Sequence, residues 1–127
     1  MKSNPIVWLE IYVQDMERAK RFYESVFQIK LEKLEAPDME MWAFPMEMDR
    51  VGASGALVKM EGVQSGGSGT IPYFHCNEVA VEAARIAECG GQIHTPKMSI
   101  GQYGHVALAV DTEGNMIGLH MEPATAQ

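Results

Sequence analysis

The chain repeats itself at a fixed offset, and a repeat of supersecondary size restricts the fold more than any single motif does. Residues 6–13 alternate: Val7, Leu9, Ile11 and Val13 fall on one face and Trp8, Glu10 and Tyr12 on the other, the period-2 pattern of a half-buried strand. Asp15 stands where an N-cap belongs, and residues 16–27 carry Ala19, Phe22, Tyr23, Val26 and Phe27 at helical spacing. The same order returns as a strand over 71–76, Asn77 as cap, an alanine-rich helix over 78–89 and Gly90-Gly91 as its stop. Asp15 and Asn77 are 62 residues apart (77 minus 15), and that offset also pairs Asp49 with Asp111, Gly52 with Gly114 and Leu57 with Leu119.

Three further strands follow each helix, over 29–34, 41–48 and 54–60 in the first copy and 91–95, 103–110 and 115–121 in the second. Each copy therefore reads βαβββ. The expected organisation is one domain over 1–127, with module one at 5–60, a Gly/Ser linker at 61–69, module two at 70–121 and a short tail at 122–127. A net charge of −7 argues against nucleic acid as a partner, because phosphate binding draws on clustered Lys and Arg. The apolar runs are strand-sized, so no membrane span is expected. Residues 1–5 lead into the first strand without a signal-peptide hydrophobic stretch, and Cys76 and Cys89 stand in no metal or redox spacing; both points suggest the cytoplasm.

The segment from Glu10 to Phe27, with Asp15 opening its helix, resembles the first strand and helix of the vicinal oxygen chelate proteins, the glyoxalase/bleomycin-resistance superfamily. The stretch Asp111-Thr112-Glu113-Gly114-Asn115-Met116-Ile117-Gly118-Leu119 resembles their closing hairpin, usually written Asp-Pro-Asp-Gly-Asn. The resemblance spans nearly the whole chain. It implies an α+β fold of two tandem βαβββ modules, whose mixed sheet curls into an open cup with the helices outside and the pocket inside. In metal-dependent members such as glyoxalase I, ligands come from strands of both modules. Carried over by motif, those positions are Trp8, Ala56, Ile71 and Gly118, none of which has a donor suited to a first-row metal. The resemblance is thus to the metal-free branch, with no metal and no cofactor expected.

With those four positions inward, alternation turns Glu10, Tyr12, Val58, Tyr73, His75, Met116 and His120 inward too. Matching strands by the 62-residue offset adds Met41, Ala43, Tyr103 and His105, against an opposite face (Val106, Leu108, Val110) that is the more aliphatic. The candidate catalytic residues are Glu10, His75 and His120, because a carboxylate and an imidazole can exchange protons with a substrate. Candidate ligand-binding residues are Trp8, Tyr12, Tyr73, Tyr103 and His105, which offer stacking surface and polar contacts.

Two functions are compatible with this set. One is a metal-independent lyase or isomerase related to lactoylglutathione lyase, using Glu10 with His75 or His120 as acid and base. The other is a non-catalytic protein of the bleomycin-resistance type that binds or sequesters a small molecule. A metal site relocated onto Glu10, His75 and His120 is a third, narrower alternative. The resemblance also implies a homodimer, in keeping with open sheets whose edge strands invite pairing.

Overall fold

In the computed structural model, which describes residues 4–47 and 51–123, each module is a four-stranded sheet with one helix across it. The first contains β1 (Trp8–Tyr12), α1 (Met16–Phe27), β2 (Glu32–Leu34), β3 (Glu40–Ala43) and β4 (Ser54–Lys59). The second contains β5 (Tyr73–His75), α2 (Val79–Glu88), β6 (Gln92–Ser99), a 3-10 turn (Gly101–Tyr103), β7 (His105–Val110) and β8 (Met116–Met121). Strand order is β1-β4-β3-β2 in one sheet and β5-β8-β7-β6 in the other, and β1 and β5 each run parallel to the last strand of their module. This is the expected pair of βαβββ units. Met48 and Asp49, part of the expected third strand and its turn, lie outside the described residues.

Local chemistry sets the element ends. The Asp15 carboxylate accepts the Arg18 amide at 3.0 Å and caps α1, while Gln28 closes it in the left-handed region at φ 55°. The second cap departs from expectation. Glu78, not Asn77, precedes α2, and its Oε2 accepts the Ala80 amide at 2.9 Å and the Lys97 ammonium at 2.7 Å. Lys97 and the Ala80 amide together hold the Glu78 carboxyl below its ordinary range. The 62-residue offset is therefore 63 at this end of the modules (78 minus 15). Pro96, which has no N–H to donate, is tolerated because β6 is an edge strand with register shifts between Ile93 and Met98.

The core crosses both modules. Ile11, Val13, Ala19, Phe22, Tyr23, Val26 and Leu57 of the first pack in one cluster with Ile86, Ala109 and Ile117 of the second. Phe74 enters from β5, its ring 4.4 Å from that of Phe27, 5.6 Å from Phe44 and 5.7 Å from Tyr23. The Arg85 guanidinium donates to the Val26 carbonyl at 2.9 Å, joining the two helices. Because Leu9, Ile11, Trp42 and Leu57 pack toward α1, and Phe74, Ala107 and Leu119 toward α2, strand alternation leaves one face of each sheet turned away from its helix.

Candidate functional site

On the first sheet, the face away from α1 carries Trp8, Glu10 and Tyr12, whose partners across the parallel ladder are Ser54, Ala56 and Val58. Residues two apart on a strand lie side by side, and the three side chains interact. The Trp8 indole Nε1–H donates to Glu10 Oε2 at 3.2 Å, and the Tyr12 hydroxyl donates to Glu10 Oε1 at 3.0 Å. The carboxylate is thus held between two aromatic donors. The hydrogen bond to Glu10 pushes the Tyr12 hydroxyl up from its ordinary pKa, with burial and the carboxylate charge adding to it, so Tyr12 stays a neutral donor. Met41 and Ala43 share this face through their pairing with Val58 and Ala56.

On the second sheet, the corresponding face carries Tyr73, paired with Gly118, and His75, paired with His120. Gly118 is required by the packing. A Cβ added there would sit 2.4 Å from the Tyr73 ring, so the ring occupies the space where a side chain would project. His120 Nε2 lies 2.8 Å from the Tyr103 carbonyl, which can only accept, so this nitrogen carries the proton.

Two expected ligand residues are placed differently. Tyr103 belongs to the 3-10 turn rather than to a strand and is 65% exposed. His105 lies on the helix side of its sheet: it pairs with Met121, whereas His120 pairs with Val106 and Gly118 with Leu108. The reason is a difference in loop length. Ala43 and its partner Ala56 are 13 residues apart, while Leu108 and its partner Gly118 are 10 apart, so the residue equivalent to Ala43 is Leu108. An odd change in hairpin length reverses which residues face the cup. The aliphatic set Val106, Leu108 and Val110, not Tyr103 and His105, shares the face of Gly118 and His120.

Concavities lie between the two sheets among the described residues. One, of about 270 Å³, is lined by Glu10, Tyr12, Gln64, Gly67, Asn115 and Met116 among others. Another, of about 590 Å³, is bounded by Leu9, Phe27, Phe44, Tyr73, Phe74 and His75 together with Glu82. The candidate residues thus divide into a Trp8–Glu10–Tyr12 group on one sheet and a Tyr73–His75–His120 group on the other, and no hydrogen bond joins the two groups among the described residues.

A metal of the kind used by glyoxalase I does not fit. Indole, methyl and sec-butyl groups and a hydrogen stand at Trp8, Ala56, Ile71 and Gly118, and the Tyr73 ring fills the space beside Gly118. Nor do three or more His, Cys, Asp or Glu side chains converge anywhere among the described residues, the Glu10, His75 and His120 set included.

A role that the sequence did not reveal belongs to Glu113, in the closing turn. Its Oε1 accepts the Gln14 and Asp15 amides at 2.8 and 2.9 Å, and its Oε2 accepts the Arg18 guanidinium at 2.7 Å and the Thr112 hydroxyl at 3.0 Å. The turn of module two is thereby bound to the start of α1 in module one. Burial disfavours the charge, but Arg18 and the two amides outweigh it and hold the carboxyl down at about 2.

Known proteins of the same architecture are distant in sequence. A glyoxalase I mutant from Zea mays is similar with TM-score 0.71 and 22% identity over 92% of this chain, which spans 46% of that one, under half its length. TnmS3, an antibiotic-binding protein from Streptomyces sp. CB03234, gives TM-score 0.67 and 23% identity, covering 96% of this chain and 98% of that. The trypanothione-dependent glyoxalase I of Leishmania major gives TM-score 0.69 and 19% identity, covering 94% and 88%. No curated protein matches the chain. The sequence profile of one family, however, matches residues 5–119, nearly the whole length of both modules. With its two βαβββ units, its Asp15-capped first helix and its closing Asp111–Asn115 turn, the chain belongs to the Glyoxalase/Bleomycin resistance protein/Dioxygenase superfamily.

Proposed function

We propose that the chain acts as a single domain that binds a small, flat organic molecule on the sheet faces turned away from the helices and holds it without transforming it. The observation that carries this reading is the state of Glu10. Both of its oxygens already accept a hydrogen bond, from Trp8 and Tyr12, and neither histidine of the other sheet is bonded to it. General acid–base chemistry needs a group aimed at the substrate with a partner in reach. Stacking needs only exposed aromatic surface, and Trp8 at 37% and Tyr73 at 52% exposure supply it. The likeness to an antibiotic-binding protein supports the same reading.

The working form is a homodimer in the cytoplasm. Ile6 and Val7 are 66% and 68% exposed beside the edge strand β1, apolar surface that a second copy would cover. No described helix is long and apolar enough to cross a membrane. Light scattering at micromolar concentration should give the mass of two chains.

The test is a titration of planar aromatic compounds followed by tryptophan fluorescence. Trp8→Ala should weaken the best binder by roughly 1 to 3 kcal/mol through lost stacking and burial. Glu10→Gln should leave binding within a few-fold, because the amide keeps the shape and one acceptor. If a bound compound is instead converted, and Glu10→Gln slows the conversion without weakening binding, the protein is a metal-independent lyase or isomerase in which Glu10 works with His75 or His120.

A further inference from the structure

The larger concavity, between the edge strands β1 and β5, has mostly apolar walls, with Ser54, Thr70, His75 and Glu82 as its main polar members. Phe27, Phe44 and Phe74 form its aromatic side, Leu9 and Ile29 its aliphatic side, and its volume of about 590 Å³ is that of a small-molecule site. The one carboxylate among the polar members is Glu82, on α2. Its Oε1 is shut off from solvent with no nitrogen or oxygen donor bonded to it, and neither lysine nor arginine lines the cavity among the described residues. The Cys76 thiol stands beside this carboxylate. Burial, with the Glu82 charge and a weak hydrogen bond to that carboxylate adding to it, pushes that thiol up to about 12, so it stays a neutral, weak donor and forms no reactive thiolate.

A carboxylate oxygen removed from water with only a thiol beside it is costly to the folded chain, and a bound cation would offset that cost. Phenyl rings present their electron-rich faces to a cation, adding to the same preference. The net charge of −7 favours approach by a cation over an anion. We propose that this seam cavity is a binding site for hydrophobic organic cations of the arylalkylammonium class, with the ring among Phe27, Phe44 and Phe74 and the ammonium toward Glu82. The site is distinct from the Trp8–Glu10–Tyr12 face, although Tyr73 and His75 of the second sheet line it.

The probe is 2-(2-naphthyl)ethylammonium, compared with the neutral 2-(2-naphthyl)ethanol, by ¹H–¹⁵N NMR titration of the full chain. The ammonium should bind roughly tenfold more tightly than the alcohol, with shifts centred on the amides of Phe74, Glu82 and Ile86 rather than on β1. Glu82→Gln should reduce the ammonium to the affinity of the alcohol, and Glu82→Asp should keep most of the preference. Glu82→Gln should also melt no lower than the unchanged chain, since it removes a charge whose buried oxygen has no strong donor. Equal binding of the two probes to the unchanged chain would overturn the proposal whatever the variants do. So would a preference that survives Glu82→Gln, or shifts confined to Trp8–Tyr12, which would assign the cation to the other face.

Discussion

Glu113→Gln should cost the fold about 3 kcal/mol at neutral pH, the equivalent of a carboxyl held at about 2 against an ordinary 4.5. The Glu113 side chain is fully buried but its Arg18 partner is 46% exposed, so solvent screening makes this an upper figure. The glutamine retains one acceptor for the Gln14 and Asp15 amides but places an uncharged amide against the Arg18 guanidinium. In thermal unfolding followed by circular dichroism, a loss of this size in a 127-residue chain lowers the midpoint by roughly 10 °C. The pH dependence identifies the cause. Folding lowers this pKa, so the stabilisation is complete above 4.5 and is lost as the pH falls from there through about 2. The gap between the unchanged chain and Glu113→Gln should therefore be widest near neutrality and close in acid. A gap that stays constant between pH 7 and pH 3 would show that the substitution acts through packing and not through the charge.

The contrast between Glu113 and the strands shows which parts of this protein could be read in advance. Strand and helix order, the two-module architecture and the Asp15 cap are written in contacts between near neighbours, where alternation and helical spacing operate. Trp8, Glu10 and Tyr12 sharing a face follows from the same period. Glu113 could be recognised only as part of a turn, because its partners lie 95 to 99 residues away and no local pattern encodes them. Glu82 looks like any polar residue of an amphipathic helix until Phe27, Phe44 and Phe74 are brought around it.

The misplacement of His105 has a different origin. The 62-residue offset holds for Ala56 and Gly118, but it becomes 63 between Glu10 and Tyr73, which occupy equivalent ladder positions, and 65 between Ala43 and Leu108. A repeat aligned at one offset carries over face assignments only where no odd insertion intervenes, and the longer β3–β4 connection is such an insertion. The aliphatic character of Val106, Leu108 and Val110 suggested a core-facing set. In the structure Ala107, Ala109 and Leu119 fill that role, being small or well-shaped enough to admit α2. Hydrophobicity separated the two faces of β7 correctly but did not say which of them the helix covers.

Tyr23 joins the modules at the centre of the core, and Tyr23→Ala should destabilise the chain even more than Glu113→Gln does. Its ring is fully buried and lies between 4.9 and 6.2 Å from those of Phe22, Phe27, Phe44 and Phe74, the last of them in the other module. Its hydroxyl donates to Asp111 Oδ2, the carboxylate that organises the closing turn through the Glu113 and Asn115 amides. Burial, with the Asp111 charge adding to it, pushes the Tyr23 hydroxyl well above its ordinary pKa, so it remains a donor throughout the accessible pH range. Removing the ring forfeits its burial and leaves a cavity where the modules meet, a loss of about 4 kcal/mol. Tyr23→Phe keeps the ring and removes only the donor, leaving Asp111 Oδ2 with the Asn115 side-chain amide at 3.2 Å, and should cost about 1 to 2 kcal/mol. Urea denaturation measures both. If the ring is the main element, Tyr23→Ala must lose at least twice what Tyr23→Phe loses. Equal losses would transfer the weight to the Asp111 hydrogen bond and make the turn, rather than the aromatic cluster, the principal joint between the modules.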